Sequence, residues 1–126
     1  MQTQAYTMTT PQAIITLSGR GVENIGASTV HVAVEATVNV DAKTARRQAT
    51  TWLASEVGNM LVAGAPQLFI GRQAVWRVPV LLTSSTVGIV GDVGVIDIDT
   101  ITGQLLTTDQ TRDGLLANVA QLIRPA

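Results

Sequence analysis

Asp97-Ile98-Asp99, with Asp92 upstream, is the densest carboxylate group in the chain. On a strand, residues 97 and 99 share a face about 7 Å apart at their α-carbons, a spacing at which two carboxylates reach one hard cation. A calcium loop starting at Asp97 also needs oxygen ligands at its fifth and twelfth positions and glycine at its sixth. The chain offers Ile101, Thr108 and Thr102 there, so that template fails. The alternative gives Asp99 and Gly103 to a turn, the aspartate accepting from backbone amides and the glycine taking a left-handed conformation.

Histidine occurs once, at position 31. On a strand it shares a face with Glu35 about 13 Å away, too far for the two to hold one metal or exchange a proton. No G-x-S-x-G run supplies a nucleophile elbow. Glu56 follows Trp52 by four residues at the edge of a helical apolar stripe, a lone acid with Arg46, Arg77 or solvent as partner. Gly19, Gly21 and Gly26 are spaced as neither a dinucleotide fingerprint nor a P-loop and read as turns. More unusual is Val87, Gly88, Ile89, Val90 and Gly91, leading a glycine-spaced stretch that ends at Gly94. An apolar loop is costly to leave in water, so this segment either lies over the core or meets a partner. These five residues are the candidate interface. No catalytic residue and no cofactor is expected, and Asp97 and Asp99 are the weak candidates for a metal.

The elements that must position these residues follow from periodicity. Ile14–Ser18 reads as a short strand closed by Gly19-Arg20-Gly21. Val30, Val32, Val34, Ala36, Val38 and Val40 recur every second residue, which predicts a strand with one buried face. Asp41 is placed as a helix N-cap. Ala45, Ala49, Trp52, Leu53, Val57, Met60 and Leu61 then form a stripe at spacings of three and four, off which Arg46, Arg47, Gln48, Ser55 and Asn59 mostly lie, until Gly64 and Pro66 end the helix. Period two returns at Leu68–Ile70, at Ala74, Trp76, Val78, Val80 and Leu82, and at Val95–Asp99, with turns at Gly71–Gln73, Thr83–Thr86 and Thr100–Gly103. Pro79 places its strand at an edge or points its nitrogen away from any neighbour. A last helix starts at Thr108 or Asp109 and runs to Ile123 on the stripe Leu115, Leu116, Val119, Leu122 and Ile123, with Pro125 beyond its end.

A chain of 126 residues suits one domain, and residues 1–12, rich in Thr and Gln, read as a flexible tail ahead of a single domain over 13–126. The absence of cysteine excludes disulfides and thiolate chemistry and fits a reducing compartment. The polar start lacks the basic and apolar parts of a secretory signal, so the expected location is the cytoplasm. A net charge of -1 and four aromatics (Tyr6, Trp52, Phe69, Trp76) argue against nucleic acid. No apolar run approaches the roughly 20 residues that span a membrane. With 46% hydrophobic and 13% charged residues, polar cover is sparse for a small monomer, which predicts a homo-oligomer, a dimer first, and an unidentified protein partner besides.

The run A-V-W-R-V-P-V, then V-G-I-V-G-D-V-G, then V-I-D-I-D-T-I-T-G-Q-L over residues 74–105, behind a helix, resembles small uncharacterised bacterial proteins. More distantly, W-x-V-x-V followed by V-x-V-D-x-x-T-G resembles PepSY-type and cystatin-like domains, over about residues 42–106. That resemblance implies a helix across a curled antiparallel sheet, with Trp76 anchoring the core and Asp99 and Gly103 setting a turn. It also implies a non-catalytic binding role, PepSY-type domains being associated with peptidase inhibition or regulation. The expectation is therefore an α+β domain with a C-terminal helix, acting as a non-catalytic interaction or regulatory module. The alternatives are a carboxylate-based metal-dependent enzyme and a small-molecule binder between helix and sheet.

Overall fold

The computed structural model describes residues 15–58 and 60–123. The chain divides into two units, Met1–Ala33 and Val34–Ala126. The tail over 1–12, together with Ile14, Asn59 and Pro125, lies outside the described residues.

Over its described part, the first unit holds one 3-10 turn, Val22–Asn24, entered through Gly19 and Gly21 as the glycine spacing predicts. The strand expected at 14–18 is absent over residues 15–18, where Ile15 and Leu17 are exposed.

In the second unit Asp41 takes the N-cap, its carboxylate accepting from the Thr44 N–H at 2.8 Å, and helix α1 runs Ala42–Glu56. The sequence carries this helix through Leu61, but it stops at Glu56. Val57 and Gly58 both donate to the Leu53 carbonyl and close the last turn. Leu61 fits a helical period with Val57 and also a strand period with Ala63. The strand wins, as β1, Leu61–Ala63, while Met60 stays exposed.

Three more strands follow: β2 (Gln67–Ile70), β3 (Ala74–Ser84) and β4 (Gly88–Asp99). β3 is central in this open antiparallel sheet, with β1 and then β2 along one edge and β4 along the other. Pro79 therefore sits in a central strand. The N–H and C=O of one residue in an antiparallel strand point the same way, and the Pro79 carbonyl accepts from Gly64, so its nitrogen faces the gap between β1 and β2. The missing donor falls where no ladder exists, the second of the two arrangements that the sequence allows.

Helix α2, Asp109–Leu122, starts at Thr108 in a reciprocal capping box with Thr111. Both helices lie on one face of the sheet. Ala45, Ala49 and Leu53 of α1 and Leu115 of α2 share a buried cluster with Leu61, Ala63, Val78, Val80, Leu82, Val93, Ile96 and Ile98. Trp76 is half-buried against it, and its indole N–H donates to the Val40 carbonyl. Of the expected α2 stripe only Leu115 is buried and Val119 half-buried. Leu116, Leu122 and Ile123 are exposed, because α2 rests chiefly on β4 at the sheet's margin. The result, among the described residues, is an α+β fold, two α-helices on one face of a four-stranded antiparallel sheet.

The strand expected over Val30–Val40 does not form. Residues 30–40 belong to no ladder, and Val30, Val32, Val34 and Val38 are exposed. Alternation signals a strand only where a neighbouring edge is free to pair, and in the second unit the backbone of residues 37–40 is bound to Thr100 and to the Trp76 indole instead. Asn39 and Val40 both donate to the Thr100 carbonyl, while the Thr100 hydroxyl lies 2.9 Å from the Thr37 carbonyl.

Candidate functional site

Of the candidate interface residues, Gly88, Ile89, Val90 and Gly91 stand on a strand, and Val87 ends the turn before it. β3 turns through Ser85–Val87 into β4, which is continuous from Gly88 to Asp99. β4 is bulged twice. Between Val80/Leu81 and between Leu82/Thr83 the register slips, leaving Val93 and Val90 as the extra residues. This divides the segment between the two sequence readings. Val93 enters the core, whereas Val87, Ile89 and Val90 are 73%, 65% and 41% exposed.

The glycines serve packing here. A Cβ on Gly94 would stand 2.7 Å from Leu115 Cδ2, and one on Gly91 would stand 2.9 Å from Leu122 Cδ1. The bare backbone thus lets α2 settle onto β4. The Asn118 amide donates to the Val93 carbonyl at 2.7 Å, occupying a group that the bulge takes out of the ladder. Nothing in the sequence marks Asn118 for this role except its place one residue before the half-buried Val119.

The two metal candidates are brought onto one sheet face but are already engaged. Asp97 faces Arg77 across the β3–β4 ladder and receives a forked pair of bonds, from Nε at 2.9 Å and Nη2 at 3.0 Å. The same guanidinium lies 3.9 Å from the centroid of the Phe69 ring. The hydrogen bonds from Arg77 to Asp97 hold the guanidinium pKa above its ordinary value, against desolvation. Asp99 caps the following turn, accepting from Ile101 N–H at 2.8 Å and Thr102 N–H at 3.0 Å. These bonds, Thr102's first, draw its carboxyl below the ordinary 3.8. Gly103, at φ 76, completes the turn with its N–H on the Asp99 carbonyl, so the turn reading of Asp99 and Gly103 holds.

Glu56, at the end of α1, and His31, in the first unit, are exposed. Glu35 lines a surface cleft of about 340 Å³ with Thr37, Arg72, Gln73, Asp99 and Thr100. A second surface hollow runs beside α1 at Arg47, Thr51, Trp52, Ser55 and Leu105. Among the described residues no three of the His, Asp and Glu side chains converge as a metal-binding group, and no helix is long and apolar enough to cross a membrane. Thr100 is a residue that the sequence reads only as part of a turn, yet it is 1% exposed and ties 37–40 to the start of β3.

No protein-family model, curated protein or solved structure matches the chain.

Proposed function

We propose that this domain is a non-catalytic interaction module that works as a homodimer in the cytoplasm. The observation that carries the reading is the head of β4, where Ile89 and Val90 are held out to water on a hydrogen-bonded strand, with Val87 exposed in the turn that leads into it. A fixed apolar projection loses little entropy when covered, which suits binding. Engagement of Asp97 by Arg77 and of Asp99 by its own turn gives both carboxylates a structural role, which favours the non-catalytic reading. The order of helix, strands and Asp99–Gly103 turn is in keeping with the resemblance to PepSY-type and cystatin-like domains.

Sedimentation equilibrium tests the reading. The expected result is twice the 13.2 kDa chain mass at micromolar concentration, shifted toward the monomer by Val90→Asp. A wild-type monomer whose solubility and mass are unchanged in Val90→Asp overturns it. Calorimetric titration with calcium, magnesium, manganese and zinc is expected to show no binding that depends on Asp97 and Asp99.

A further inference from the structure

The face of the sheet turned away from the helices is more apolar than a solvated antiparallel face, on which polar residues alternate outward. The register places Val62 of β1, Phe69 of β2, Pro79 and Leu81 of β3, and Ile89 and Val95 of β4 on it, with Arg77, Asp92, Asp97 and Asp99 as its charged residues. Val62, Phe69, Ile89 and Val95 are 38%, 46%, 65% and 45% exposed, while Pro79 and Leu81 are half-buried. We propose that this face seats a second copy of the chain, sheet against sheet, with the helices of both copies outside. The proposal rests on the homodimeric reading above and supplies its geometry.

Three observations choose this arrangement. First, the charged pair at its centre is already neutralised. Arg77 and Asp97 are paired to each other, with side chains 33% and 26% exposed, and the guanidinium lies on Phe69. Such a pair needs no opposite charge from a partner when water leaves, and the two other carboxylates of the face, Asp92 and Asp99 on β4, accept from the backbone amides of Gly94 and of Ile101 and Thr102.

Second, the sheet edges are closed to strand pairing. The free edge of β4 is bent by two bulges, and its last turn is occupied by residues 104–106, where Leu106 donates to the Asp97 carbonyl and Asp99 to the Gln104 carbonyl. On the other side Arg46 Nε takes the Ala63 carbonyl of β1 at 3.0 Å, and β2 is only four residues long. Bulges and short edge strands discourage edge-to-edge pairing, which leaves the face.

Third, the area suffices. Eleven residues of β3 flanked by a strand on each side span roughly 36 by 14 Å. Two copies stacked on that surface bury on the order of 1,000 Å² in all, the lower bound for a specific interface.

Sedimentation equilibrium over about 1 to 500 µM, the range such a small interface calls for, is run on wild type and on Val95→Lys, Val62→Lys and, on the outer side of α2, Leu116→Lys. The expected result is a wild-type dimer weakened at least tenfold by the lysine at 95 or 62 and unchanged by that at 116. A wild-type dimer indifferent to lysine at 95 and 62 overturns the face while leaving the homodimer standing, whereas a wild-type monomer overturns both. Methyl spectra of the wild type with a soluble paramagnetic agent need no variant to fold. Broadening of the Val62, Leu81 and Val95 methyls is expected to fall as concentration rises, and broadening that stays constant overturns the proposal.

Discussion

Gly64 and Pro79 fill each other's space: the Gly64 N–H donates to the Pro79 carbonyl at 2.8 Å, and a Cβ on residue 64 would stand 2.9 Å from Pro79 Cγ. A proline ring cannot swing aside as a long side chain does. Gly64→Ala is therefore expected to cost about 1–3 kcal/mol, the usual penalty for overpacking. In a Pro79→Ala background the same change should cost markedly less. Urea denaturation of the four-member cycle measures the coupling, and strictly additive losses would show that the two residues do not constrain each other.

Gly94 and Gly91 both let α2 approach β4, but they differ in what yields. Gly94 has φ 152, a conformation that side chains rarely adopt, and faces the buried Leu115. Gly91 faces the far end of Leu122, which is 42% exposed and free to turn away. Gly94→Ala is expected to destabilise by about 1–3 kcal/mol and Gly91→Ala by less than about 1 kcal/mol. Thermal or urea unfolding of the two variants ranks them, and equal losses contradict this account.

How much of this was legible in the sequence depended on whether a signal was local. Asp41 and Thr108 act through amides three residues on, and both caps lie where the residue types place them. The strand periods of β3 and of Val95–Asp99, the second half of β4, are readable because the two strands are consecutive in the chain. The valine alternation over 30–40 misleads because forming a strand depends on a free edge, which no local pattern records. Val87–Gly94 reads as a loop because its glycines look like flexibility, when Gly91 and Gly94 answer to Leu122 and Leu115, each more than twenty residues later. Asp97 offers a metal ligand to sequence reasoning since its cross-strand partner, Arg77, is twenty residues away.

Thr100 is buried, with its hydroxyl 2.9 Å from the Thr37 carbonyl and 3.2 Å from that of Ala74. Thr100→Val keeps the shape and removes the donor, leaving those carbonyls without it. The expected loss is about 1–2 kcal/mol. Hydrogen exchange should locate it, because the Asn39 and Val40 amides donate to the Thr100 carbonyl and should exchange faster as residues 37–40 loosen. Unchanged exchange at both amides would place the loss elsewhere.

The acid limb of stability should carry the signature of Asp41 and Asp99. Hydrogen bonds from the Thr44 side chain and N–H, then the nearby Arg47 and Lys43, draw the Asp41 carboxyl below its ordinary 3.8; the amides of Thr102 and Ile101 do the same for Asp99. A carboxyl with a lower pKa folded than unfolded takes up its proton more readily in the unfolded chain. Its contribution is complete above the unfolded value and is lost as pH falls through the folded one. Wild-type urea midpoints should therefore fall as pH drops from about 5 toward 2. Asn retains an acceptor oxygen for the same amides but cannot be protonated in this range. The double variant Asp41→Asn, Asp99→Asn should start lower at pH 7, decline less steeply, and converge on wild type at the acid end. Parallel declines in the two proteins would assign the acid limb to other carboxylates.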